Sequence, residues 1–401
     1  MSAELRRANE LIESDPDAAY AICNDILRED PDNAPALFII ATLHTRMSRF
    51  GEAIPMYERV ATLAPKRTEV LNNLGLCWQE SHRPSKARGY FQRSLGFART
   101  AQTLSNIGVT YMDEGHYAEA MKWSDRALAM DPTHIGAMSN KGFALLATGD
   151  WSGWKLYEKC LGGKFRKELD FGAQKWDGSQ VGSIVVYGEQ GIGDEIAFAS
   201  MLNELPAKEV VLECDPRLET LFRRSFRGVE VHGTRRAEKP WAKERWFDAQ
   251  VAIGSLPAFL RPTRESCPRK PYLVADPERR VMWRALFDSK KKPVIGLCWT
   301  GGSAITRKHT RKIGLESFRK YIEMHDAYYV SLQYEDAQEE IAASKLPVRQ
   351  YHEVLSDDYD DTAALVAELD GIIGVHTSVH HLAGALDRKS TRLNSSHDQR
   401  S

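Results

Sequence analysis

No run of about eighteen apolar residues occurs anywhere in the 401 residues, so the sequence offers no membrane-spanning helix. An excess of either charge is missing too: 54 Lys and Arg meet 55 Asp and Glu, and a formal charge of -1 excludes a general binder of nucleic acid or anionic lipid. Cysteine is sparse. Cys23, Cys77, Cys160, Cys214, Cys267 and Cys298 lie far apart with no C-x-x-C pair, which argues against a zinc ribbon and a disulfide framework. The opening MSAELRRANELIESDPD holds acids and no apolar run, so no signal peptide is expected and the reduced cytoplasm is the expected location. What remains, at 42% hydrophobic and 27% charged residues, is the composition of a folded protein of two or three domains.

Self-similarity is the first positive signal. Ala53, Ala87 and Ala120 stand 34 and 33 residues apart, and Ala19 extends the series backward by 34. Small residues precede them at a fixed offset of twelve (Ala41, Gly75, Gly108), and Gly142 continues that second series. Pro31, Pro65 and Pro132 follow three of the alanines by twelve, where a proline closes one hairpin and resets the chain. Trp78 with Phe91, and Tyr111 with Ala127, supply packing positions. The pattern resembles the tetratricopeptide repeat over residues 1–155 and implies a continuous helical solenoid. Such an array either binds a peptide or protein in its groove or packs on the domain behind it. Asn73, Asn106, Lys122, Asn140 and Lys141 are candidates for the groove, or members of a solvated face.

Helical periodicity stops near Trp154, and a polar linker, 156–182, follows. Short β-branched runs then alternate with amphipathic segments. IVVYG (184–188), EVVLEC (209–214), VEVHG (229–233) and AQVAI (249–253) read as buried strands of a first unit, 183–275. PVIGLCW (293–299), AYYVSLQ (327–333), PVRQY (347–351) and GIIGV (371–375) read as strands of a second, 276–386. Alternation of strand and helix predicts parallel sheets covered on both faces, so the fold class is α plus α/β: a repeat solenoid, then two doubly wound Rossmann-like units with a cleft between them.

Two strand-to-helix turns carry candidate chemistry. In GEQGIGDEIAF, Gly188, Gly191 and Gly193 permit a tight turn, and Asp194 opens a helix either as a cap or as a functional carboxylate. Glu195 and Ile196 fall where a dinucleotide fingerprint needs its third glycine, which disfavours a dehydrogenase. In GVHTSVHHLAGAL, Thr377 and Ser378 bring hydroxyls and free N–H groups to the carboxyl edge of the sheet, where a diphosphate would fit. His376, His380 and His381 offer no third ligand set for a metal, and Asp358-Tyr359-Asp360 reads better as helix caps than as a metal-binding D-x-D.

Several motifs in order (GDWSGWKLYE, WDGS, EQGIGD, PYLVADPERRVMWR, GLCWTGG with Arg311, VSLQ, DTAALVAELD and HTSVHHLAGAL) resemble bacterial and phage proteins in which tetratricopeptide repeats precede a glycosyltransferase domain. That domain is related to the ADP-heptose:lipopolysaccharide heptosyltransferases and has the two-Rossmann arrangement called GT-B. The resemblance implies sugar transfer from a nucleotide-diphosphate donor to a glycan or protein acceptor, with no separate cofactor and no metal. It maps the acceptor base to Asp194, beside the glycine turn of Gly191 and Gly193. The diphosphate maps to Thr377, Ser378 and His381, with Arg311 and Gln333 as further donor-site residues. Relatives often carry Asp where this chain has His376, so no role passes to that position. The competing readings are a non-catalytic repeat adaptor and a dehydrogenase.

The last segment, DRKSTRLNSSHDQRS (387–401), does not continue the motif series, and its first part, DRKSTRLNSSH (387–397), can be written as the codons of a sequencing-library adapter. It is expected to be an artefactual tail, unpacked or continuing the last helix, on a second unit that shows only four candidate strands, and the chain as given is expected to be poorly active or inactive.

Overall fold

The computed structural model describes residues 2–163, 166–235, 237–267, 270–302 and 311–392. The chain divides into two compact units, Met1–Cys160 and Leu161–Ser401. The last helix of the first unit, Gly153–Glu158, therefore runs three residues into the span, 156–182, that composition assigns to the linker.

The first unit is helical throughout. Its hairpins are α1 (Ala3–Ser14) with α2 (Pro16–Glu29), α3 (Ala34–Arg46) with α4 (Phe50–Leu63), α5 (Thr68–Glu80) with α6 (Pro84–Leu95), α7 (Ala101–Asp113) with α8 (Tyr117–Met130), and α9 (Ile135–Ala147) with α10 (Gly153–Glu158). The repeat alanines Ala19, Ala53, Ala87 and Ala120 occupy the second helix of successive hairpins and are fully buried. Their small partners have a steric cause. A Cβ on Gly75 would lie 2.3 Å from the ring of Phe91, itself fully buried, and one on Gly142 would lie 3.0 Å from the carbonyl of Gly153. The hairpin partners approach so closely that a methyl on Gly75 would overlap the Phe91 ring and one on Gly142 would press on the Gly153 carbonyl. Pro31, Pro65 and Pro132 sit in the turns between hairpins.

The groove candidates are largely engaged with their own neighbours. Asn140 donates to the carbonyl and hydroxyl of Ser105 (3.2 and 3.0 Å), Asn73 to Tyr57 Oη (3.2 Å), and Asn106 accepts from Gln102 (2.8 Å). Lys141 pairs with Asp125 at 2.6 Å and Lys122 with Glu119 at 2.5 Å. Amides at hairpin contacts satisfy backbone and hydroxyl groups before they serve a ligand.

The second unit holds two five-stranded sheets. The strands are β1 (Gln174–Lys175), β2 (Val181–Tyr187), β3 (Ala207–Glu213), β4 (Val229–His232), β5 (Ala249–Ala252), β6 (Val294–Cys298), β7 (Tyr328–Ser331), β8 (Val348–Arg349), β9 (Gly371–Gly374) and β10 (Ser390–Arg392). Helices α11 (Ile192–Ala199), α12 (Glu219–Ser225) and α13 (Leu256–Leu260) belong to the first half, and α14 (Pro277–Asp288) precedes β6. The second half adds α15 (Arg319–Met324), α16 (Gln338–Ser344), α17 (Tyr359–Val366) and α18 (Ser378–Ala385).

Every pairing between named strands is parallel, in the orders β1-β5-β2-β3-β4 and β10-β9-β6-β7-β8. Continuous apolar runs such as Ile184-Val185-Val186, all fully buried, suit strands covered on both faces. In each sheet the order reverses beside the first central strand, β2 or β6, and the loops flanking that reversal are where such sheets bind ligands. The expected cleft is bridged at this edge. Helices α11 and α18 pack together, and one hydrophobic core runs from Ile184 and Leu212 of the first half to Val330, Ile372 and Leu382 of the second.

The expectation for the end of the chain needs correction. Residues 390–392 are not unpacked: they add β10 to the outer edge of β9, in register Ser390 to Ile372 and Arg392 to Gly374. Ile372 N–H donates to Lys389 C=O at 3.0 Å, and the second sheet gains a fifth strand where the sequence offers four. An open strand edge needs backbone groups rather than particular side chains, so a polar Ser-Thr-Arg segment meets the demand. Residues 393–401 lie outside the described residues.

The hairpin contacts predict a contrast between two glycines. Gly75→Val should lower the stability of the helical unit by about 2–3 kcal/mol through overpacking against Phe91. Gly89→Ala, on the exposed face of α6 with nothing within 4 Å of the new methyl, should raise it by about 0.5–1 kcal/mol. Thermal melting followed by circular dichroism checks both. Equal effects from the two substitutions would contradict the packing account.

Candidate functional site at the meeting of two strand-to-helix turns

The loop after β2, Gly188 to Gly191, leads into α11, and the turn after β9, residues 375–377, leads into α18. The two helix starts are in direct contact. A Cβ on Gly193 would meet His381 Cδ2 at 3.2 Å and Ser378 Cα at 3.2 Å, so the glycine turn and the second-half turn touch through a missing side chain. The β6 exit joins them: a Cβ on Gly301 would fall 2.5 Å from Thr377 Cγ2.

Asp194 completes the start of its own helix, its Oδ2 accepting the Gly191 N–H at 3.2 Å. It is not confined to that task. Burial raises its carboxyl above the ordinary range, against the Gly191 N–H and the charges of Arg311 and Arg235. Arg311 belongs to the second half, where its carbonyl accepts from Gly301 N–H (3.0 Å) and Lys312 bridges Thr300, so charge from the second half reaches Asp194. Residues 303–310, between these points, lie outside the described residues.

In the second half, Ser378 Oγ accepts the hydroxyl of Tyr359 at 2.7 Å, which leaves the serine proton free to donate outward. Thr377 Oγ1 lies 3.7 Å from the buried Cys298 Sγ. His381 is half-buried, its ring edge-on to His376 with centroids 5.2 Å apart. Gln333 is buried and its carboxamide oxygen accepts from Trp299 N (3.1 Å) and Thr300 N (3.2 Å), so it fastens the β6 exit beside Thr377. Asp358 caps α17 by accepting from Asp360 N at 3.0 Å and pairs with Arg279 at 3.0 Å, while Asp360 binds Arg224. The two carboxylates of the D-x-D thus tie α17 to α12 and α14, and the tyrosine between them orients Ser378. Among the described residues no group of three or more His, Cys, Asp or Glu is arranged to hold a metal ion.

Beneath the first turn lies a buried polar network that the sequence did not disclose. Arg235 donates to Gln190 C=O, to Glu195 and, at 2.8 Å, to Asp215 Oδ2. Glu195 is fully buried and its second oxygen accepts Asp215 N–H at 2.8 Å. Burial pushes the Glu195 carboxyl up to about 8 in spite of Arg235. Arg166 holds Glu189 at 3.0 Å and Ser255 Oγ at 2.8 Å, joining the loops after β2 and β5. Lys239 pairs with Glu213 at 3.3 Å. Glu195 entered the sequence reading only through a dinucleotide fingerprint that fails. The available signal was Glu189 and Glu195 flanking a glycine turn, since a carboxylate pair there requires buried cations from elsewhere.

The helical unit carries a separate cavity of about 340 Å³ lined by Glu58, Trp78, Lys86, Gly89, Tyr90 and Arg93. Lys86 Nζ sits 4.1 Å over the Trp78 ring, and Tyr90 donates to Glu58 at 3.0 Å.

Comparison with known proteins places the helical unit. Models described as tetratricopeptide repeat match residues 36–71 and 100–130, so the first unit is a tetratricopeptide-repeat array. Protein FlbA of Caulobacter vibrioides is 28% identical over 430 aligned residues, covering 89% of this chain and 70% of FlbA. A barley protein named as a probable UDP-N-acetylglucosamine–peptide N-acetylglucosaminyltransferase, SPINDLY, is 29% identical over 108 residues of the repeat region, 27% of this chain and 11% of SPINDLY. The fission-yeast general transcriptional corepressor ssn6 is 27% identical over 132 residues, 32% of this chain and 12% of its own length. The crystal structure of MamA aligns with 40% of this chain and 93% of its own, at 19% identity and a TM-score of 0.36.

The buried network predicts a pH dependence. Glu195 in the folded state titrates near 8, above the ordinary value of 4.5, so it holds its proton more tightly than in the unfolded chain. Its contribution to stability is full below 4.5 and is lost as pH rises toward about 8. Glu195→Gln removes that loss. The fall in unfolding free energy of the second unit between pH 5 and pH 8, read from urea midpoints, should be smaller in the variant by at least about 1 kcal/mol. Parallel curves would contradict the assignment.

Proposed function

We propose that the chain is a glycosyltransferase of the GT-B, heptosyltransferase-like kind, moving a sugar from a nucleoside-diphosphate donor to an acceptor hydroxyl without a metal. The observation that carries this reading is the contact of Gly193 with Ser378 and His381, which puts a carboxylate-bearing turn of one parallel sheet against a hydroxyl-bearing turn of the other. Each turn leaves its sheet beside a reversal of strand order, and each opens a helix of eight residues.

The chemistry follows from these groups. The acceptor oxygen attacks the anomeric carbon as the bond from that carbon to the diphosphate oxygen breaks, and the acceptor proton passes to the Asp194 carboxylate. Negative charge grows on the departing diphosphate. The N–H groups at the start of α18, the Thr377 and Ser378 hydroxyls and the Arg311 guanidinium supply donors and positive charge for it. Tyr359, by donating to Ser378, turns the serine proton toward the leaving group. Gln333 keeps the β6 exit in place, and His381 walls the site against Gly193.

The repeat array is proposed to present a protein or glycan acceptor, with the cavity around Trp78 and Tyr90 as a candidate contact surface. The activity in SPINDLY's name agrees with a repeat array joined to sugar transfer, although the matched segment lies in the repeats. The alternative is a repeat adaptor whose second unit binds no sugar nucleotide.

The test is transfer from a panel of nucleotide sugars by the full chain and by Asp194→Asn. Loss of about 10²-fold or more in turnover, with donor binding within a few-fold of the parent, is expected from removal of a general base. Full turnover by Asp194→Asn would remove the base role, and absence of nucleotide-sugar binding in the parent would favour the adaptor.

A further inference from the structure

We infer that Arg235 is a positioning residue that fixes the Gly188–Gly191 loop and holds positive charge beside the neighbouring Asp194. The inference rests on the proposed base role for its functional meaning, whereas its physical content is a link between two side chains. Arg235 is buried, and its guanidinium forks across three acceptors from three segments: the Gln190 carbonyl in the loop, Glu195 in α11, and Asp215 after β3. No other side chain among the described residues spans these three in the hydrogen bonds of this site. Gln190 C=O and Glu195 bracket Asp194 in sequence, so the fork sets where the Asp194 carboxylate is carried.

The charge count around the fork gives it an electrostatic role. Glu195, held protonated near neutrality, contributes little negative charge. Asp215 is ionised, since Arg217 and Arg235 outweigh its burial, and it is shared between the two guanidiniums: Arg217 Nε at 2.8 Å and Arg235 Nη2 at 2.8 Å. Two cations over one carboxylate leave a net positive charge beneath the loop. The other groups around Asp194 are accounted for as follows. Arg311 adds positive charge from the β6 side. His381, with His376 edge-on to it, faces the same turn from α18. Glu189 is matched by Arg166 and Glu213 by Lys239. Burial works to neutralise Asp194, and Arg235 with Arg311 opposes it, which a base at neutral pH requires.

The experiment titrates Asp194 directly. The full chain is labelled with aspartate carrying ¹³C at the carboxyl, and the Asp194 resonance is assigned by its absence in Asp194→Asn. Arg235→Gln should raise the Asp194 midpoint by about half a unit to one unit, Arg235→Lys should recover part of the shift, and Asp215→Asn should lower the midpoint by a few tenths. Opposite movement in Arg235→Gln and Asp215→Asn is the signature, because a purely structural role would move both the same way or neither. If Arg235→Gln does not fold, the downward shift in Asp215→Asn still decides. An unmoved midpoint in Asp215→Asn, or in a folded Arg235→Gln, overturns the inference. Where the parent transfers sugar, the acid limb of its rate profile should follow the same shifts. A parent that transfers no sugar counts against the proposed function alone, since the titration needs no turnover.

Discussion

The site depends on a contact made where one side chain is absent. Gly193 lies against Ser378 and His381, and a Cβ there, 3.2 Å from Ser378 Cα and His381 Cδ2, would force α11 and α18 to give by a few tenths of an ångström. Because the two turns leave the reversal points of two parallel sheets, their contact joins a carboxylate from one sheet to hydroxyls and helix N–H groups from the other. Around it the molecule arranges its most costly groups. Removing one partner from a buried ion pair costs about 3–5 kcal/mol, and the Arg235–Asp215 pair, with the protonated Glu195 beside it, lies directly under the loop that leads to Asp194.

Much of the architecture was legible because it rests on periodicities that survive without neighbours. The alanine series at 34 and 33 residues marks second helices, and the glycine series marks positions where Phe91 or the Gly153 carbonyl leaves no room. The strands of the second unit were legible as apolar runs: Val181–Tyr187 and Ala207–Glu213 cover the expected cores, starting three and two residues earlier and each ending one residue earlier. β1 and β10 escaped notice for a common reason. Gln174–Lys175 and Ser390–Arg392 carry no apolar pattern, and their pairing answers only to backbone groups at the edges of β5 and β9.

The site was legible in part. Glycines and a carboxylate at a strand-to-helix turn identify themselves by spacing, as do Thr377 and Ser378. Their contact partners do not. Arg235 and Arg166 come from irregular segments, 45 residues downstream of Gln190 and 23 upstream of Glu189, and nothing local marks them as buried. Tyr359 was hidden inside a motif whose acids drew attention, although the tyrosine is the member that reaches Ser378.

The central claim is that these two turns together form a nucleoside-diphosphate site, and calorimetric titration of the full chain with UDP, ADP and GDP tests it most directly when paired with Ser378→Glu. The added carboxylate would stand at the start of α18, repelling the diphosphate and filling the space beside Gly193. The account predicts that one of the three nucleotides binds the parent and that Ser378→Glu weakens it by about tenfold or more while the protein remains folded. Equal affinity in parent and variant, or no binding of any of the three to the parent, would contradict it.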